Sequence, residues 1–409
     1  MNTKCPKLLL VGGTFDKQGG KTSSVVEKVR KAIEKYYFGK LIISMYNSGE
    51  YSKLDKIIKE EVPNSDIVIW WPNVPNELDK VRNIKAVNYK TMLITSKRND
   101  DNKYSYQDIL QRMLEQKVNL NVIIKSQDTG LYNFELLDPL SNMFYSGDSI
   151  EELTKAMIDR VLFLKDITRQ STTTDEENKG ALAWYFNMFK SEMVNSLLGY
   201  NGEEQIEVEH NIHFLEVIKD YAKIFVSTIF GTDDEVEIKR FLGNASFRCP
   251  KGFPSFKYGD YILVSKRNVN KEYITIDDFV PIYEKEGNIY YLGDNKPSVD
   301  SPVQLQLYKA FPHIKYMLHA HVYIYDEKAP FTKQVLPCGA LEEVDEIINC
   351  VYKNNLQDNN LITINLNGHG CIIMSTDVEG IESVKDKIIA RPKPEWIYKD
   401  IEKGKLKWN

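Results

Sequence analysis

Two different rhythms along the chain predict an α/β protein of two domains. In the first third, apolar runs alternate with amphipathic helical stretches. In the second half, several strand-like runs succeed one another with helices inserted between them, and no regular alternation holds. At 409 residues the chain also exceeds what one typical core supports.

The first rhythm begins with "KLLLVGG" and then the helix-periodic "SSVVEKVRKAIEKYY". "KLIISMY", "YSKLDKIIKEEV", "SDIVIWW", "KTMLITSK", "YQDILQRMLEQK" and "LNVIIKS" continue it. Apolar strands separated by amphipathic helices imply a parallel sheet covered on both faces. This is a doubly wound, Rossmann- or flavodoxin-like pattern. "SIEELTKAMIDRVLFLKDI" reads as a closing helix, with Ser149 as N-cap and Glu152 three residues on. The polar "TRQSTTTDEENKG" has no apolar rhythm and reads as a linker. "ALAWYFNMFKSEMVNSLLGY" reads as a connecting helix or as the first helix of a second domain. The expected division is a parallel α/β domain over 1–167, a linker and connecting helix over 168–206, and a second domain over 207–409.

The second domain opens on the helical "EHNIHFLEVIKDYAKIFVSTIF". "NASFRC", "GDYILVSK", "FVPIYEKEGNIYYLG", "IKYMLHAHVYIY", "NLITINLN" and "CIIMST" are strand-like. "PSVDSPVQLQLYKAF" and "ALEEVDEIINCVYKNN" are helical insertions. The order predicts a central, largely antiparallel sheet with helices around it.

Composition narrows the function classes. The net charge is −5, which gives no bulk attraction to nucleic acid or an anionic membrane. No apolar run approaches the roughly 20 residues that a membrane helix needs. The N-terminal residues lack the pattern of a secretory signal. Five cysteines without CxxC spacing favour a reducing compartment, so a cytoplasmic location is expected.

The loop after the first strand, "GGTFDKQGGKTSS", holds Gly12, Gly13, Thr14, Gly19, Gly20, Lys21 and Thr22. A phosphate-binding P-loop would need glycine at position 15, where Phe15 stands. "GGTFD" also begins a nucleotidyltransferase signature, but the histidines that should come after it are absent. Two readings stay open: exposed backbone N–H groups that hold an anion or nucleotide, or a tight turn that lets strand and helix pack. "WWPNVPNE" closes the third strand, where open α/β sheets often receive ligand.

Six histidines occur, and two of them, His319 and His321, stand one residue apart in "MLHAHVYI". Residues i and i+2 of a strand share a face, so two imidazoles can converge on one divalent ion. His369 lies between glycines in "NLNGHGC" directly after an apolar run. The alternative is three independent structural histidines. His210 and His213 suit a helix surface, and His313 a helix-to-strand turn. Asp300, upstream of the histidine strand, suits a general base or acid on the metal's open side. An ordinary acid at a helix N-terminus is its alternative.

Taken together, "GNASFR", "YILVSKRNV", "ITIDDFVPI", "KPSVDSP", "HAH" and "GHG" resemble, in order, the class II aldolase/adducin family over roughly residues 207–385. Within that family they resemble sugar-phosphate aldolases and L-ribulose-phosphate 4-epimerases especially. The resemblance implies a central antiparallel sheet, a homo-oligomer (a tetramer above all) and a cytoplasmic enzyme of carbohydrate metabolism. It implies that His319, His321 and His369 hold a divalent metal, Zn2+ first with Mn2+, Co2+ or Fe2+ as alternatives. It makes Asp300 the catalytic carboxylate. Asp at this position is the epimerases' choice, and Glu the aldolases'. Asn244, Ser265, Arg267 and Ser298 match the substrate- and phosphate-binding positions. Departures are Arg267 and Asn268 in place of a small hydroxyl and a glycine, Val299 in place of a second serine, and Gln304 in place of a histidine. The implied function is a lyase or epimerase on a small, phosphorylated hydroxycarbonyl substrate, through a metal-stabilised enediolate. Its alternatives are a sugar-phosphate dehydratase and a non-catalytic, adducin-like assembly protein. The first domain leaves room for a bifunctional chain.

Overall fold

The computed structural model describes residues 5–74, 84, 90–127, 130–176, 203–230, 241–249, 261–391 and 394–396. The expected connecting helix, "ALAWYFNMFKSEMVNSLLGY", lies outside these residues, as does the end of "WWPNVPNE". Two compact units form, one from Met1–Asp166 with Pro392–Ile397 and one from Ile167–Arg391 with Tyr398–Asn409.

The first unit is built on five parallel strands: β1 (Lys7–Asp16), β2 (Ile42–Glu50), β3 (Ile67–Asn73), β4 (Met92–Arg98) and β5 (Leu120–Ser126). Their order is β2-β1-β3-β4-β5, so the sheet turns back on itself between β1 and β3. Alternation along β1 sends Leu8 and Leu10 to one core and Leu9 and Val11 to the other. Helices α1 (Ser24–Tyr37) and α4 (Ile150–Asp166) cover the first face through Val29, Ile33, Leu153 and Met157. Helices α2 (Tyr51–Lys56) and α3 (Tyr106–Gln116) cover the other through Leu54, Ile109 and Leu110. Ser149 caps α4 as expected, its hydroxyl accepting from the Glu152 N–H at 3.3 Å.

Two features of this sheet go beyond the expected alternation. Strands β6 (Tyr132–Leu137) and β7 (Asn142–Gly147) extend it as an antiparallel hairpin. The Asp138 carboxylate organises the turn by accepting from the Leu140 and Asn142 N–H groups at 2.9 and 3.0 Å. The strand Glu395–Trp396 then adds in parallel to β7. Two residues carry no detectable period, which is why this strand is silent in the sequence.

The second unit holds an eight-stranded sheet. Its strands are β8 (Thr172–Thr174), β9 (Asn244–Arg248), β10 (Ile262–Ser265), β11 (Phe279–Lys285), β12 (Asn288–Tyr291), β13 (Tyr316–Ala320), β15 (Leu361–Leu366) and β16 (Gly370–Ser375). They lie in the order β15-β16-β13-β9-β10-β11-β12-β8. All pairings are antiparallel except β12 with β8. β8 falls inside the segment expected as a polar linker. On the sheet edge Thr172 and Thr174 are half-buried and Thr173 is exposed, so no apolar signal betrays the strand.

Helix α5 (Glu203–Phe230) covers one face of this sheet through Phe214, Val217, Ile218 and Tyr221. Helices α6 (Ser301–Ala310) and α7 (Glu342–Lys353) cover the other through Leu305, Tyr308, Ile347 and Val351. A short helix, α8 (Val378–Glu382), comes after β16. β14 (Tyr323–Ile324) and β17 (Ile388–Ile389) form a separate two-stranded ladder. In β13, Tyr316, Leu318 and Ala320 enter the α5-side core and Met317 the other. Among the described residues, no helix is long and apolar enough to cross a membrane.

Candidate metal centre

β13 runs through the middle of the second sheet, where His319 pairs with Asn244 of β9 and Ile372 of β16. The strand ends at Ala320, so His321 stands just beyond it. The two histidines are therefore not both on regular strand, although both are buried. His369 sits in the turn from β15 to β16, opposite the end of β13. Gly370 makes that approach possible: a Cβ there would lie 2.0 Å from the Ala320 carbonyl oxygen. The turn is also held from outside. Arg391 donates to the carbonyls of His369 and Gly368 at 3.0 and 2.9 Å, and the Gly368 N–H donates to the Tyr323 hydroxyl at 3.0 Å.

These elements bring together three of the histidines singled out from sequence. His319, His321 and His369 each offer one ring nitrogen, and the three lie within 4.8 Å of one another. Their ring centroids are 4.7–5.0 Å apart. The partners of each ring decide which nitrogen faces inward. His319 Nδ1 donates to the Cys371 carbonyl at 2.9 Å, which leaves Nε2 bare. His369 Nδ1 meets the Glu343 carboxylate at 2.6 Å, which leaves Nε2 inward. His319 Nε2 and His321 Nδ1 are buried and have no hydrogen-bond partner. Leaving a buried polar atom unsatisfied costs about 1–3 kcal/mol. Two such nitrogens converging with a third fit a divalent cation, which imidazole binds through its neutral form.

The electrostatics agree with that state for two rings. Burial, and then the neighbouring His369, push the His319 imidazole down to about 4. Burial and the other two rings hold His321 well below the usual imidazole range. For His369, burial again disfavours the charge, but the Glu343 carboxylate and Cys338 together lift the ring well above the usual value. A carboxylate on the outer nitrogen of a ligating histidine fixes its orientation and raises its basicity.

Asp300 stands at the N-cap position of α6, yet its side chain makes no capping bond. Its carboxylate turns away instead. Oδ1 accepts from the Gly339 N–H at 2.7 Å and Oδ2 accepts from Asn244 Nδ2 at 2.9 Å. Gln304 in turn donates to Asn244 Oδ1, which fixes the amide so that its N–H faces Asp300. The departure at Gln304 thus has a defined task. Ser265 and Ser298 are buried beside this group: the Ser265 hydroxyl accepts from the Ala245 N–H at 3.2 Å, and that of Ser298 from the Asp300 N–H at 3.4 Å. Arg267 is exposed, and its N–H donates to the Lys296 carbonyl at 2.9 Å. Asn268 adopts φ 60, the left-handed conformation that a glycine would take there. Val299 is exposed.

Three residues of this neighbourhood escaped sequence reasoning. Glu343 is one of two adjacent glutamates at the start of α7, and no spacing rule separates it from Glu342. Cys338, in "LPCGA", reaches within 3.3 Å of His369 Nε2. Lys271 is buried, with Nζ donating to the carbonyls of Leu242 and Val269 at 2.9 and 3.3 Å. Burial brings its ammonium down to about 8 against the opposing pull of Asp300. The remaining histidines lie apart from the cluster. His213 is exposed on α5, 3.5 Å from Glu382, and exposed His313 contacts the Asn359 carbonyl at 3.2 Å.

In the first unit, the loop from Gly12 to Thr22 is closed by its own hydrogen bonds. The Asp16 carboxylate accepts from the Gln18 and Gly20 N–H groups at 2.7 and 3.0 Å. Thr14 N–H donates to the Lys21 carbonyl at 2.8 Å, and Ser23 N–H to Asn47 Oδ1 at 2.8 Å. Gly20 adopts φ 62, and a Cβ on it would strike the Thr14 carbonyl. The glycines therefore serve a tight strand-to-helix turn, and Ser23 caps α1 by accepting from the Val26 N–H at 3.4 Å.

Comparison with known proteins places the second unit. Residues 237–324 match the family model Class II Aldolase and Adducin N-terminal domain. Among solved structures, the Escherichia coli protein YgbL is 12% identical, with 44% of this chain and 87% of that one covered at a TM-score of 0.31. L-fuculose 1-phosphate aldolase is 15% identical over 42% and 84%, at 0.29. The DNA/pantothenate metabolism flavoprotein of Streptococcus pneumoniae is 10% identical over 39% and 99%, at 0.29. Scores of this size say nothing about function. The family match takes in Asn244, Asp300, His319 and His321 and stops before His369, which the fold supplies. The stretch of the second unit that carries Asp300 and the paired histidines thus matches the model of the class II aldolase and adducin family.

Proposed function

We propose that the second unit is a metal-dependent lyase or epimerase acting on a small, phosphorylated hydroxycarbonyl compound. The observation that carries this reading is the meeting of three buried imidazoles, two with unpartnered nitrogens, in one unit with a buried carboxylate clasped from both sides. His319, His321 and His369 are the residues that would hold the metal. A divalent cation supplies positive charge to adjacent carbonyl and hydroxyl oxygens as an enediolate develops. Asp300 takes and returns the proton of the substrate, its two oxygens oriented by Asn244 and Gly339. The Ser265 and Ser298 hydroxyls accept from backbone N–H groups, so each keeps its own proton to donate to a phosphate oxygen. Asn244 and the Arg267 guanidinium complete the proposed phosphate side. Zn2+ is the metal we favour, since three imidazoles suit it. No activity is proposed for the first unit, because the N–H groups of Thr14, Gln18 and Gly20 are already donated within its own loop.

Metal analysis and turnover of L-ribulose 5-phosphate and related sugar phosphates test the reading together. One metal per chain is expected, with activity lost on chelation and restored by Zn2+. Asp300→Asn should keep the metal and lose about 100-fold or more in turnover. Normal turnover by that variant would remove Asp300 from the mechanism. A metal-free protein inert towards every sugar phosphate would favour the assembly-protein alternative.

A further inference from the structure

In the first unit, the sheet face covered by α2 and α3 is apolar along most of its length, with Leu9, Val11, Val68, Trp70, Leu93 and Ile123 in its core. Thr95 and Asn121 break that pattern. They are register partners on β4 and β5 and are only 7% and 3% exposed. Strands buried in a doubly wound sheet ordinarily carry apolar residues at such positions. Beside this pair lies a cavity of about 300 Å3, walled by β4, β5 and α3. That volume falls in the range of small-molecule sites.

We propose that this cavity binds a small organic oxyanion, a carboxylate or phosphate on a short apolar body, with Asn121 Nδ2 as its buried hydrogen-bond donor and Lys97 and Arg112 as its counter-charges. The Thr95 hydroxyl donates to Asn121 Oδ1 at 2.9 Å, which fixes the amide. Asn121 Nδ2 is then left buried with no hydrogen-bond partner. A donor in that state costs free energy until an acceptor reaches it. Lys97 of β4 and Arg112 of α3 line the same cavity. The Lys97 ammonium lies 3.6 Å from the centroid of the Tyr104 ring, also on the wall. Lys97, and then Lys103 and Arg112, hold the Tyr104 phenol below its usual value, as a positive local field does. Asp108, the acidic residue among the described lining, is committed to capping α3. Its Oδ2 accepts from the Ser105 N–H and hydroxyl at 2.9 and 2.8 Å. Ile109 and Met113 give the cavity a buried apolar wall, which a short hydrocarbon body covers and a bare inorganic ion does not. The site shares no residue with the glycine loop or the metal centre, so it is independent of the metal reading.

Calorimetric titration of the full chain, freed of metal by dialysis, with butyrate and with propyl phosphate tests this. At least one probe is expected to bind at one site per chain. Butyrate alone or propyl phosphate alone would support the proposal equally and name the head group. Asn121→Leu removes the donor and suits the apolar face, and affinity should fall at least about tenfold. Arg112→Gln, at a half-buried position on α3, should fall by as much and keeps the test decisive if Asn121→Leu fails to fold. Lys21→Ala, on the glycine loop, should bind as the wild type does. No heat with either probe would leave a cavity that holds water only and overturn the proposal. Wild-type affinity in Asn121→Leu, or in Arg112→Gln, would overturn it as well, since the ligand would then sit elsewhere. So would loss of binding in Lys21→Ala, which would move the site to the glycine loop.

Discussion

Single residues set the chemistry of this centre through their partners. Glu343 shows this most directly, since its carboxylate meets the outer nitrogen of His369 at 2.6 Å and both groups are buried. Glu343→Gln keeps the size and loses the charge, and metal titration should find affinity lowered about 10- to 100-fold. An unchanged affinity would make Glu343 a packing residue only. Lys271 gives a pH test. Its folded pKa of about 8 lies below the usual 10.5 because burial disfavours the ammonium. Between those values the unfolded chain holds a proton that the folded chain has released, so this residue's contribution to stability rises with pH. Relative to Lys271→Met, the wild type should gain in chemical denaturation midpoint from about pH 8 to about pH 10. A constant difference across that range would mean that the lysine titrates normally. Neither residue is legible in the sequence. Histidines at i and i+2 and a glycine-flanked histidine have a recognisable spacing, whereas a buried lysine or one glutamate of a pair acquires its role only from what the fold lays against it.

At the scale of elements, legibility goes with length and period. The five parallel strands and their helices are readable because every strand is at least seven residues long and carries an apolar run. The hairpin β6–β7 is not, because its turn depends on Asp138 accepting backbone N–H groups, which no hydropathy pattern records. Two- and three-residue strands such as β8 have no period to read. The element that matters most to the centre is the turn carrying His369. Gly370→Ala places a Cβ 2.0 Å from the Ala320 carbonyl, so the turn must move away from the end of β13. The expected result is a loss of roughly 2 kcal/mol or more of stability, of the size typical for backbone strain, with metal stoichiometry falling alongside. A variant that binds metal with wild-type affinity would show that the close approach is dispensable.

For the whole molecule, the division into units does not run along the chain from end to end. The last described residues, Glu395 and Trp396, belong to the sheet of the first unit, while Ile388, Ile389 and Arg391 belong to the second. A chain cut after Lys387 therefore loses β17 and the arginine that grips the His369 turn. It should bind metal more weakly than the full chain, by at least as much as Arg391→Met does. Equal affinity of the cut and full chains would remove Arg391 from the support of the site.

That grip also orders events in time. Arg391 stands 22 residues beyond the His369 whose carbonyl it holds. A ribosome delivers His319, His321 and His369 before it delivers the residue that locks the last of them. The His369 turn is therefore locked from a part of the chain made after the turn itself.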